Sequence, residues 1–372
     1  MQIMTVNVGS SSLRLDLFDI ASDRDPIRVA QAHFDDHESS IESRLHEFLA
    51  SAGMTRTIGV THRVVHGGHS YAAATLIDPS VIETIQTFIP MAPLHNPRAL
   101  EGIAAILKIY GETFPQAAVF DTGFFRDLPD EALRYALPDP IGSCGGLRRF
   151  GFHGIAHESM WHSWTNHHPE TPGLGRLITI QLGSGCSMTA IRDGKPQDTS
   201  MGFTPLEGLV MATRSGDLDP GIMTYLMRHH GFSAEALDEL LSRESGLLGV
   251  SGESGDMRIL LNSTSPKAAS AIDIYCHRVR KYIGAYLAVL GGADAIVFGG
   301  GVGENSPEIR ARVCRGLEGL GIALDADANH SLQGRAGLIS AADSLIKVWV
   351  LPVDEALAMA RHSASLFTER LE

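Results

Sequence analysis

The sequence predicts an α/β protein built from two similar domains. Residues 5–18 alternate as two apolar strands around Gly9-Ser10-Ser11-Ser12, and residues 178–191 repeat this hairpin pattern around Gly183-Ser184-Gly185. Strand and helix patterns follow in both halves, which is typical of the α/β class. At 372 residues, the chain is long enough for two domains that each bury a core.

The composition of the two hairpin tips has two interpretations. Glycine and serine form ordinary turns, but they also let backbone N–H groups converge on an anion. One tip alone favours the ordinary turn. The repeat, in which Gly183 matches Gly9 and Ser184 matches Ser10, favours a duplicated fold with two phosphate-binding tips.

The remaining elements follow from periodicity and from glycine and proline positions. In the first half we predict helices at 39–52, 79–89 and 97–110 and strands at 57–65 and 117–120. Residues 138–146, which contain Pro138, Pro140 and several glycines, form the most linker-like stretch. In the second half we predict helices at 220–230, 234–242, 267–290, 307–320 and 355–371 and strands at 295–298 and 346–351.

Composition excludes several classes of partner and site. The net charge of −13 and the absence of a Lys/Arg cluster argue against nucleic acid or an anionic membrane as the main partner. The cysteines are scattered without a CxxC pair, which indicates neither zinc nor a disulfide framework and fits a reducing cytoplasm. The N-terminus lacks a signal-peptide pattern, and glycines and Asp294 interrupt the apolar stretch 286–302, so we expect a soluble protein.

Four residues are candidates for chemistry, each with an ordinary alternative. Arg63 and Arg214 each stand beside small residues at the end of an element, where an arginine can clamp a carboxylate or phosphate or form a surface salt bridge. Asp121 ends a buried strand and is either a functional carboxylate or a helix N-cap. His153 lies between glycines, and its spacing to His157 lacks the HExxH pattern of a zinc site.

Glycine-rich nucleotide motifs of the usual kinds do not fit. No Walker sequence occurs, and Gly299–Gly303 follows a strand without the GxGxxG spacing of a dinucleotide site. A strand followed by glycines and a helix still allows a nucleotide to approach the backbone closely.

Ten motifs together resemble the acetokinase family over nearly the whole chain. These are NVGSSSLR (7–14), HRVVHGG (62–68), APLHNP (92–97), VFDTGF (119–124), RRFGFHG (148–154), DTSMGFTPLEGL (198–209), TRSGDLDPG (213–221), SGLLGVSG (245–252), GGGVGENS (299–306) and DEALAMAR (354–361). The resemblance implies two duplicated ribonuclease H-like domains of the actin-like ATPase fold with an interdomain active-site cleft. It assigns residues 1–147 with 357–372 to the N-terminal domain and 148–356 to a C-terminal nucleotide-binding domain.

The family's reaction is reversible, Mg²⁺-dependent transfer of a phosphoryl group from ATP to acetate, giving acetyl phosphate and ADP. By resemblance the catalytic residues are Arg63, Asp121, His153 and Arg214, the substrate contacts are Arg63, Val65, Leu94, Phe152 and Pro205, and the magnesium site lies near Asn7 and Glu355. The implied nucleotide-binding residues are Ser10, Ser12, Arg14, Gln181, Gly183, Ser184, Gly185, Asp256, Met257, Arg258, Gly301, Val302, Gly303 and Asn305.

Some positions depart from the family pattern. Gln181 and Ser184 stand where the family has histidine and asparagine, Arg14 where lysine is common, Ala212 where glycine is usual and Phe125 where histidine is usual. The changes at Gln181 and Ser184 bear on nucleotide affinity or phosphate-donor preference. The alternatives are a kinase for propionate or another short-chain acid, one preferring another phosphoryl donor, or a non-catalytic nucleotide-binding regulator of the same fold, because a fold alone does not prove function. The family also implies a homodimer.

Overall fold

A computed structural model describes residues 1–9, 12–21, 24–35, 40–52, 57–138, 146–168, 170 and 174–370. The strands in this part of the chain are β1 (Gln2–Val8), β2 (Leu13–Ala21), β3 (Arg24–Phe34), β4 (Thr57–Val64), β5 (Thr75–Leu76), β6 (Gln116–Phe120), β7 (Arg176–Leu182), β8 (Cys186–Arg192), β9 (Lys195–Thr199), β10 (Ala295–Gly299), β11 (Gly337–Leu338) and β12 (Lys347–Val350).

The helices in the same part of the chain are α1 (Ile41–Ala52), α2 (Pro79–Thr87), α3 (Asn96–Tyr110), α4 (Asp130–Leu133), α5 (Gly154–Asn166), α6 (Pro220–His230), α7 (Ala234–Arg243), α8 (Gly246–Ser251), α9 (Met257–Leu261), α10 (Pro266–Leu290), α11 (Gly300–Asn305), α12 (Pro307–Cys314), α13 (Ala326–Ser331) and α14 (Glu355–Thr368). Shorter 3₁₀ turns occur at Ile89–Met91, Gly123–Phe125 and Glu318–Leu320.

The first compact unit contains Met1–Arg126, Phe152–Ser159 and Asp354–Glu372. Its sheet has the strand order β3-β2-β1-β4-β6-β5, in which β1, β4 and β6 are parallel and the others antiparallel to their neighbours. Apolar side chains of β1, β2 and β4 form a buried core with α1 and α3. On the other face, Phe367 of α14 packs with Ile3 and Ala117.

The second compact unit contains Asp127–Gly151 and Met160–Val353. Its sheet order is β11-β12-β10-β7-β8-β9, and β7, β10 and β12 are parallel. The hairpins β7–β8 and β8–β9 are antiparallel, as is the β11–β12 pair at the other edge. The long helix α10 buries one apolar face, including Ile272, Val279 and Ile283.

The two sheets have the same architecture. Starting from the hairpin edge, the orders β3-β2-β1-β4-β6-β5 and β9-β8-β7-β10-β12-β11 match strand for strand in chain order and direction. Two mixed six-stranded sheets with flanking helices therefore confirm the predicted duplicated α/β fold.

The structure differs from the predicted domain limits and from several element limits. Residues 127–147 fall in the second unit, whereas residues 152–159 and 354–356 fall in the first. The helix predicted at 307–320 ends at Cys314, because Arg315 leaves the helical region at ψ 126° and Gly316 adopts φ +80°. The sequence analysis did not predict β3 and β9, which are edge strands of the two sheets. It also did not predict α5, the helix that follows the His153 motif. No helix in the described ranges is long and apolar enough to cross a membrane.

Candidate active site

The first hairpin tip lies at the end of β1. Strand pairing ends at Val8 and Leu13, and the Gly9 N–H donates to the Ser12 carbonyl over 2.7 Å. Across this hairpin, Asn7 faces Arg14, whose side chain is exposed. Ser10, predicted to contact phosphate, lies outside the described residues.

Arg63 lies beside this tip, in a cluster of polar side chains of the first unit. It is carried by β4, between β1 and β6, and Asp121 follows directly after β6. Arg63 Nε and Nη2 donate to the two carboxylate oxygens of Asp121 over 2.9 and 2.7 Å. Its Nη1 donates to Glu355 Oε2 over 3.0 Å and to Asn7 Oδ1 over 3.5 Å, and Asn7 Nδ2 donates to the same Glu355 oxygen over 2.9 Å.

The electrostatics of this cluster centre on one buried ion pair. Burial is the largest influence on Asp121 and raises the pKa of its carboxyl, although Arg63 opposes the shift. Burial also opposes the charge of Arg63, but Asp121 and Glu355 together raise the pKa of its guanidinium. Within the first unit, Arg63 is not on an exposed surface. The Asp121 side chain binds Arg63, and the turn at Gly123 has no side-chain cap. The catalytic roles of both residues stay predictions.

His153 has an unusual backbone conformation, with φ +55°. Positive φ is uncommon for a residue with a side chain and persists only where neighbours hold it. The His153 N–H donates to the Asp121 carboxylate, and the Gly154 N–H donates to the Asp121 carbonyl over 3.0 Å. A Cβ on Gly154 would lie 2.1 Å from that carbonyl oxygen, which explains the glycine after the histidine. Asp121 therefore orients both Arg63 and the backbone of His153.

The residues implied for the acyl group divide between the units. Val65, directly after β4, and Leu94 are half-buried. Phe152 is buried, and its ring lies in an edge arrangement with the His66 ring, with 5.3 Å between the ring centroids. Pro205 belongs to the second unit, where its carbonyl accepts a hydrogen bond from Arg214 Nη1 over 2.7 Å.

In the part of the chain that the structure describes, Arg214 has no carboxylate partner, unlike Arg63. Among the described residues, the bond to Pro205 is the one hydrogen bond found for its guanidinium, and no ion pair reaches it. Burial lowers the pKa of this guanidinium, although Cys186 opposes the shift. The salt-bridge alternative does not apply within these residues. A half-buried cation without a counter-ion is a site for an anionic ligand.

The second hairpin tip lies next to Arg214. Pairing ends at Leu182 and Cys186, and the Gly183 N–H donates to the Gly185 carbonyl over 3.0 Å. The Ser184 carbonyl accepts from the Ala212 N–H over 3.0 Å, which ties the tip to the segment that carries Arg214.

The thiol of Cys186 lies behind this tip. Its Sγ donates to the Gly183 carbonyl over 3.4 Å and lies 3.3 Å from Tyr275 Oη, and burial raises the pKa of the thiol. The tip is therefore supported from inside the second unit.

The glycine-rich segment adjoins the same hairpin. Gly299, the last residue of β10, is paired in register with Gln181. Gly300 has φ +76°, and a Cβ there would lie 2.6 Å from the Leu182 carbonyl, so this turn requires glycine. A Cβ on Gly301 would meet nothing within 4 Å, which leaves the start of α11 open.

Two further groups of implied nucleotide contacts lie in the second unit. In α11, Asn305 Nδ2 donates to the Gly301 carbonyl over 2.9 Å, Val302 is half-buried and Gly303 is buried. Asp256 caps α9 and pairs with the exposed Arg258, and Met257 is buried. A Cβ on Gly255 would lie 2.9 Å from the Ala212 carbonyl, so the Asp256 segment borders the strip that carries Arg214.

Two arginines of the second unit were not among the predicted site residues, the buried Arg310 and the half-buried Arg149. Arg310 is fully buried and donates to the carbonyls of Gly303, Glu304, Asn329 and Leu332 and to Asn329 Oδ1. Its burial lowers its pKa to about 10. Arg149 stands in the RRFGFHG motif and pairs with Glu207 over 2.6 Å. The motif was a signal for Arg149, but no pattern marks Arg310.

The side chains near the first tip suit a hydrated magnesium ion. Mg²⁺ prefers oxygen ligands and retains several waters, usually binding through one or two carboxylates and the phosphates of its substrate. Asn7 and Glu355 supply an amide oxygen and a carboxylate, and Arg63 already contacts both, which fits contact through water. In the ranges that the structure describes, no group of three or more His, Cys, Asp or Glu side chains is placed to hold a metal.

Comparisons with known proteins identify the family. The model of the acetokinase family matches residues 24–361. An acetate kinase from Solibacter usitatus is 47% identical over 306 residues, covering 81% of this chain and 74% of that protein. The crystal structure of Porphyromonas gingivalis acetate kinase has a TM-score of 0.86 at 35% identity and 100% coverage of both chains.

A second solved structure carries a different acid in its name. A propionate kinase from Francisella tularensis subsp. tularensis SCHU S4 has a TM-score of 0.85 at 33% identity, covering 97% of this chain and 98% of that one. The family match, the close relatives and the repeated sheet with its two glycine-containing tips agree: this chain belongs to the acetokinase family.

Proposed function

We propose that this chain is an acetate kinase, which transfers a phosphoryl group reversibly from Mg²⁺·ATP to acetate and releases ADP and acetyl phosphate. The observation that carries the proposal is Arg214, a half-buried cation with no ion pair among the described residues, beside the Gly183–Gly185 tip. A family member with such a cation is suited to a reaction between two anions.

The reaction needs charge neutralisation and positioning more than acid–base catalysis. A carboxylate oxygen of acetate forms the new bond to the γ-phosphorus, and the bond from that phosphorus to the β,γ-bridging oxygen breaks, so ADP leaves with the electron pair. Because acetate is already an anion, no proton has to be removed. The obstacle is repulsion between acetate and the phosphates, which positioned cations reduce.

In this proposal the charged residues have distinct roles. Arg214 neutralises the transferring phosphoryl group, and Arg63, held bidentately by Asp121, orients the acetate carboxylate. His153 interacts with the equatorial oxygens of the phosphoryl group, and Asp121 holds its backbone in the required conformation. Magnesium, held near Asn7 and Glu355, supplies further neutralisation of the phosphates when bound.

We assign nucleotide binding to residues at and beside the two hairpin tips, at the start of α9 and in α11. The set comprises Ser10, Ser12, Arg14, Gln181, Gly183, Ser184, Gly185, Asp256, Met257, Arg258, Gly301, Val302, Gly303 and Asn305. Supporting contacts in the second unit are the register pairing of Gln181 with Gly299 and the hydrogen bond from Ala212 to Ser184.

Size distinguishes the candidate acids. Val65, Leu94, Phe152 and Pro205 are assigned to the acyl group, and a small apolar site favours acetate over longer acids. The second candidate is propionate, because a structurally similar family member is named as a propionate kinase. With ATP and Mg²⁺ held at saturating concentrations, a hydroxamate assay of acetate, propionate and butyrate distinguishes the two.

The same assay tests the non-catalytic alternative. Acyl hydroxamate formation that requires ATP and an acid supports the kinase, and a higher kcat/KM for propionate than for acetate replaces the first candidate by the second. Binding of ATP, measured by calorimetry, without turnover of any of the three acids refutes the kinase and favours a regulator.

We also propose a homodimer that forms through α6. None of the residues of this helix is buried, and Ile222, Tyr225 and Met227 expose apolar surface. A helix normally owes its stability to an apolar face packed against another element, and a second copy of the chain would supply it here. Sedimentation of the wild-type protein should give a mass twice the chain mass of 40.0 kDa. In the double variant Ile222→Asp, Tyr225→Asp, the mass should fall to 40.0 kDa. A wild-type mass of 40.0 kDa contradicts the dimer.

A cytoplasmic location belongs to the same proposal. The cysteines in the described ranges, Cys186, Cys276 and Cys314, are buried free thiols, which fits a reducing compartment. Fractionation of cells that express the natural gene, followed by immunodetection, tests this location.

A further inference from the structure

A polar cluster in the second unit joins Tyr135, Arg149 and Glu207. Arg149 Nη2 donates to Glu207 Oε1 over 2.6 Å, and Tyr135 Oη donates to Glu207 Oε2 over 2.5 Å. Both carboxylate oxygens thus have a partner. Burial, reinforced by Glu207, raises the pKa of the Tyr135 phenol. Burial opposes the charge of Arg149, but Glu207 and other neighbouring groups together raise the pKa of its guanidinium. The cluster is therefore a neutral phenol joined to an ion pair.

The cluster holds the backbone on both sides of Gly202. Arg149 Nη1 donates to the carbonyls of Thr199 and Met201 over 3.2 and 3.0 Å, and Tyr135 Oη accepts from the Phe203 N–H over 2.8 Å. A Cβ on Gly202 would lie 1.7 Å from Glu207 Oε2 and 2.1 Å from Tyr135 Oη. This glycine is thus required for the backbone to pass against the cluster.

The segment around Gly202 continues to Pro205, which contacts Arg214. Pro205 is two residues after Phe203, and its carbonyl accepts the one hydrogen bond found for the Arg214 guanidinium in the described part of the chain. Because no carboxylate in the described ranges orients it, the direction of this guanidinium depends on where the Pro205 carbonyl lies. Arg63, by contrast, is oriented bidentately by Asp121.

We propose that Tyr135, Arg149 and Glu207 are positioning residues for Arg214, acting through the carbonyl of Pro205. This inference rests on the proposed acetate kinase function. None of the three residues is assigned a contact with substrate. They fix the backbone on which the catalytic arginine is oriented.

Tyr135→Phe tests the inference with the loss of a single oxygen. The variant leaves the Phe203 N–H and Glu207 Oε2 without this partner, so we expect kcat to fall roughly 10- to 100-fold, the scale of a catalytic group displaced by about 1 Å. KM for Mg²⁺·ATP should change less than about two-fold, because the nucleotide contacts are not altered. Ser344→Ala is the matched control, since it removes a buried hydroxyl that bonds the Ala323 N–H in the same unit, and its kcat should stay near wild type.

A double-mutant cycle separates positioning from a general structural effect. If Tyr135 acts through Arg214, Tyr135→Phe should change kcat less than about two-fold in an Arg214→Ala background. An equal loss of kcat in both backgrounds overturns the inference. An unchanged kcat in the single Tyr135→Phe variant overturns it as well.

A spectroscopic measurement makes the result independent of turnover. In protein labelled with ¹⁵N-arginine, the Nε–Hε resonance that is lost in Arg214→Ala identifies Arg214. We expect this resonance to shift in Tyr135→Phe but not in Ser344→Ala, and an unshifted resonance overturns the inference. A wild-type protein that turns over no acid refutes the proposed function, whereas a shifted resonance in the same protein still supports the positioning role.

Discussion

The two sheets place different residues at equivalent positions. Pairing before the tips ends at Val8 in one and Leu182 in the other, so Asn7 corresponds to Gln181. In the parallel pairing of β1 with β4, Val6 faces His62, and in that of β7 with β10, Ile180 faces Phe298. His62 therefore corresponds to Phe298, and Arg63 corresponds to Gly299. Asp121 lies three residues after Ala118, the partner of His62, and Val353 lies three residues after Val350, the partner of Phe298. The arginine and carboxylate of the first unit are thus a glycine and a valine in the second.

This difference shows how one fold supplies two kinds of site. In the first unit, the strand ends carry charged side chains that pair with each other. In the second unit, a Cβ on Gly299 would lie 2.7 Å from Val353 Cγ2 and 2.6 Å from Met160 Sδ, so no side chain fits there. Two residues later, Gly301 is exposed and has open space around it. Fold-level duplication therefore does not duplicate the chemistry.

The two arginines offer the largest test of this comparison. We expect Arg214→Ala and Arg63→Ala each to lower kcat by at least about 10³-fold, roughly 4 kcal/mol of transition-state stabilisation. Steady-state kinetics at saturating substrate measure the loss. Arg243→Ala, which removes an exposed arginine 3.4 Å from Glu239, is the control and should keep wild-type rates.

Their effects on stability should differ. Arg63→Ala leaves Asp121 buried without its ion pair, which costs about 3–5 kcal/mol of unfolding free energy, whereas Arg214→Ala breaks no ion pair among the described residues and should cost less than about 1 kcal/mol. Urea unfolding measures both. Equal losses of stability would contradict the contrast between the two arginines.

His62 adds a pH dependence that its counterpart Phe298 does not. Burial lowers the pKa of His62 to about 4, although the hydrogen bond with Gln116 opposes this, and the ordinary value is 6.5. The unfolded state therefore binds a proton that the folded state does not, and this contribution to stability is present above pH 6.5 and is lost as the pH falls towards 4. The loss should reach about 3 kcal/mol for this residue.

Urea unfolding between pH 7 and pH 4.5 measures this slope. His62→Gln retains a hydrogen-bonding partner for Gln116 but does not titrate, so its unfolding free energy should fall less steeply with decreasing pH. The remaining slope should include His157, whose pKa burial lowers to about 3. Identical slopes in wild type and His62→Gln would show that His62 does not contribute.

Two adjacent glycines test the backbone site of the second unit. Gly300→Ala forces a side chain into φ +76° and against the Leu182 carbonyl, so we expect a loss of roughly 2 kcal/mol in stability and a higher KM for Mg²⁺·ATP. Gly301→Ala is the matched control, because a Cβ there meets nothing within 4 Å and stability should be unchanged. Equal stability of the two variants would contradict the required turn.

The smallest expected effect concerns the acyl group. Val65→Ala should shift the kcat/KM ratio of propionate to acetate in favour of propionate by about 1 kcal/mol, near the worth of one buried methylene. Val64→Ala is the matched control, since this neighbouring valine is fully buried in a core cluster with Phe120 and should lower stability without changing the ratio. If both variants shift the ratio alike, or neither does, Val65 does not determine acid size.

The sequence predicted the hairpins and most long helices because their signals are local. Period and flanking residues define Pro220–His230 as predicted, and Gly-Ser tips define both hairpins. Strand β3 was missed because its exposed face carries charged residues, and helix α5 because its apolar and polar residues show little segregation. Segments that return to a distant part of the chain, such as 152–159, depend on long-range contacts that no local pattern contains.

The site followed the same division. Motifs marked Arg63, Asp121, His153 and Arg214, but the Arg63–Asp121 pairing depends on strand order. That Arg214 has no acidic partner among the residues with described positions depends on three-dimensional packing. Tyr135 and Glu207 are 72 positions apart, and their hydrogen bond is invisible to a local pattern.

The buried thiol of Cys186 provides a chemical probe of local opening at the second hairpin tip. Because Sγ is enclosed between the Gly183 carbonyl and Tyr275, an alkylating reagent can react only when the hairpin opens locally. The rate of Cys186 alkylation, followed by mass spectrometry of the peptide that contains this residue, therefore measures how often the hairpin opens. A nucleotide bound at Gly183–Gly185 would make this opening rarer and lower the alkylation rate. Protection of Cys186 would therefore show that nucleotide occupies the tip, without any measurement of turnover.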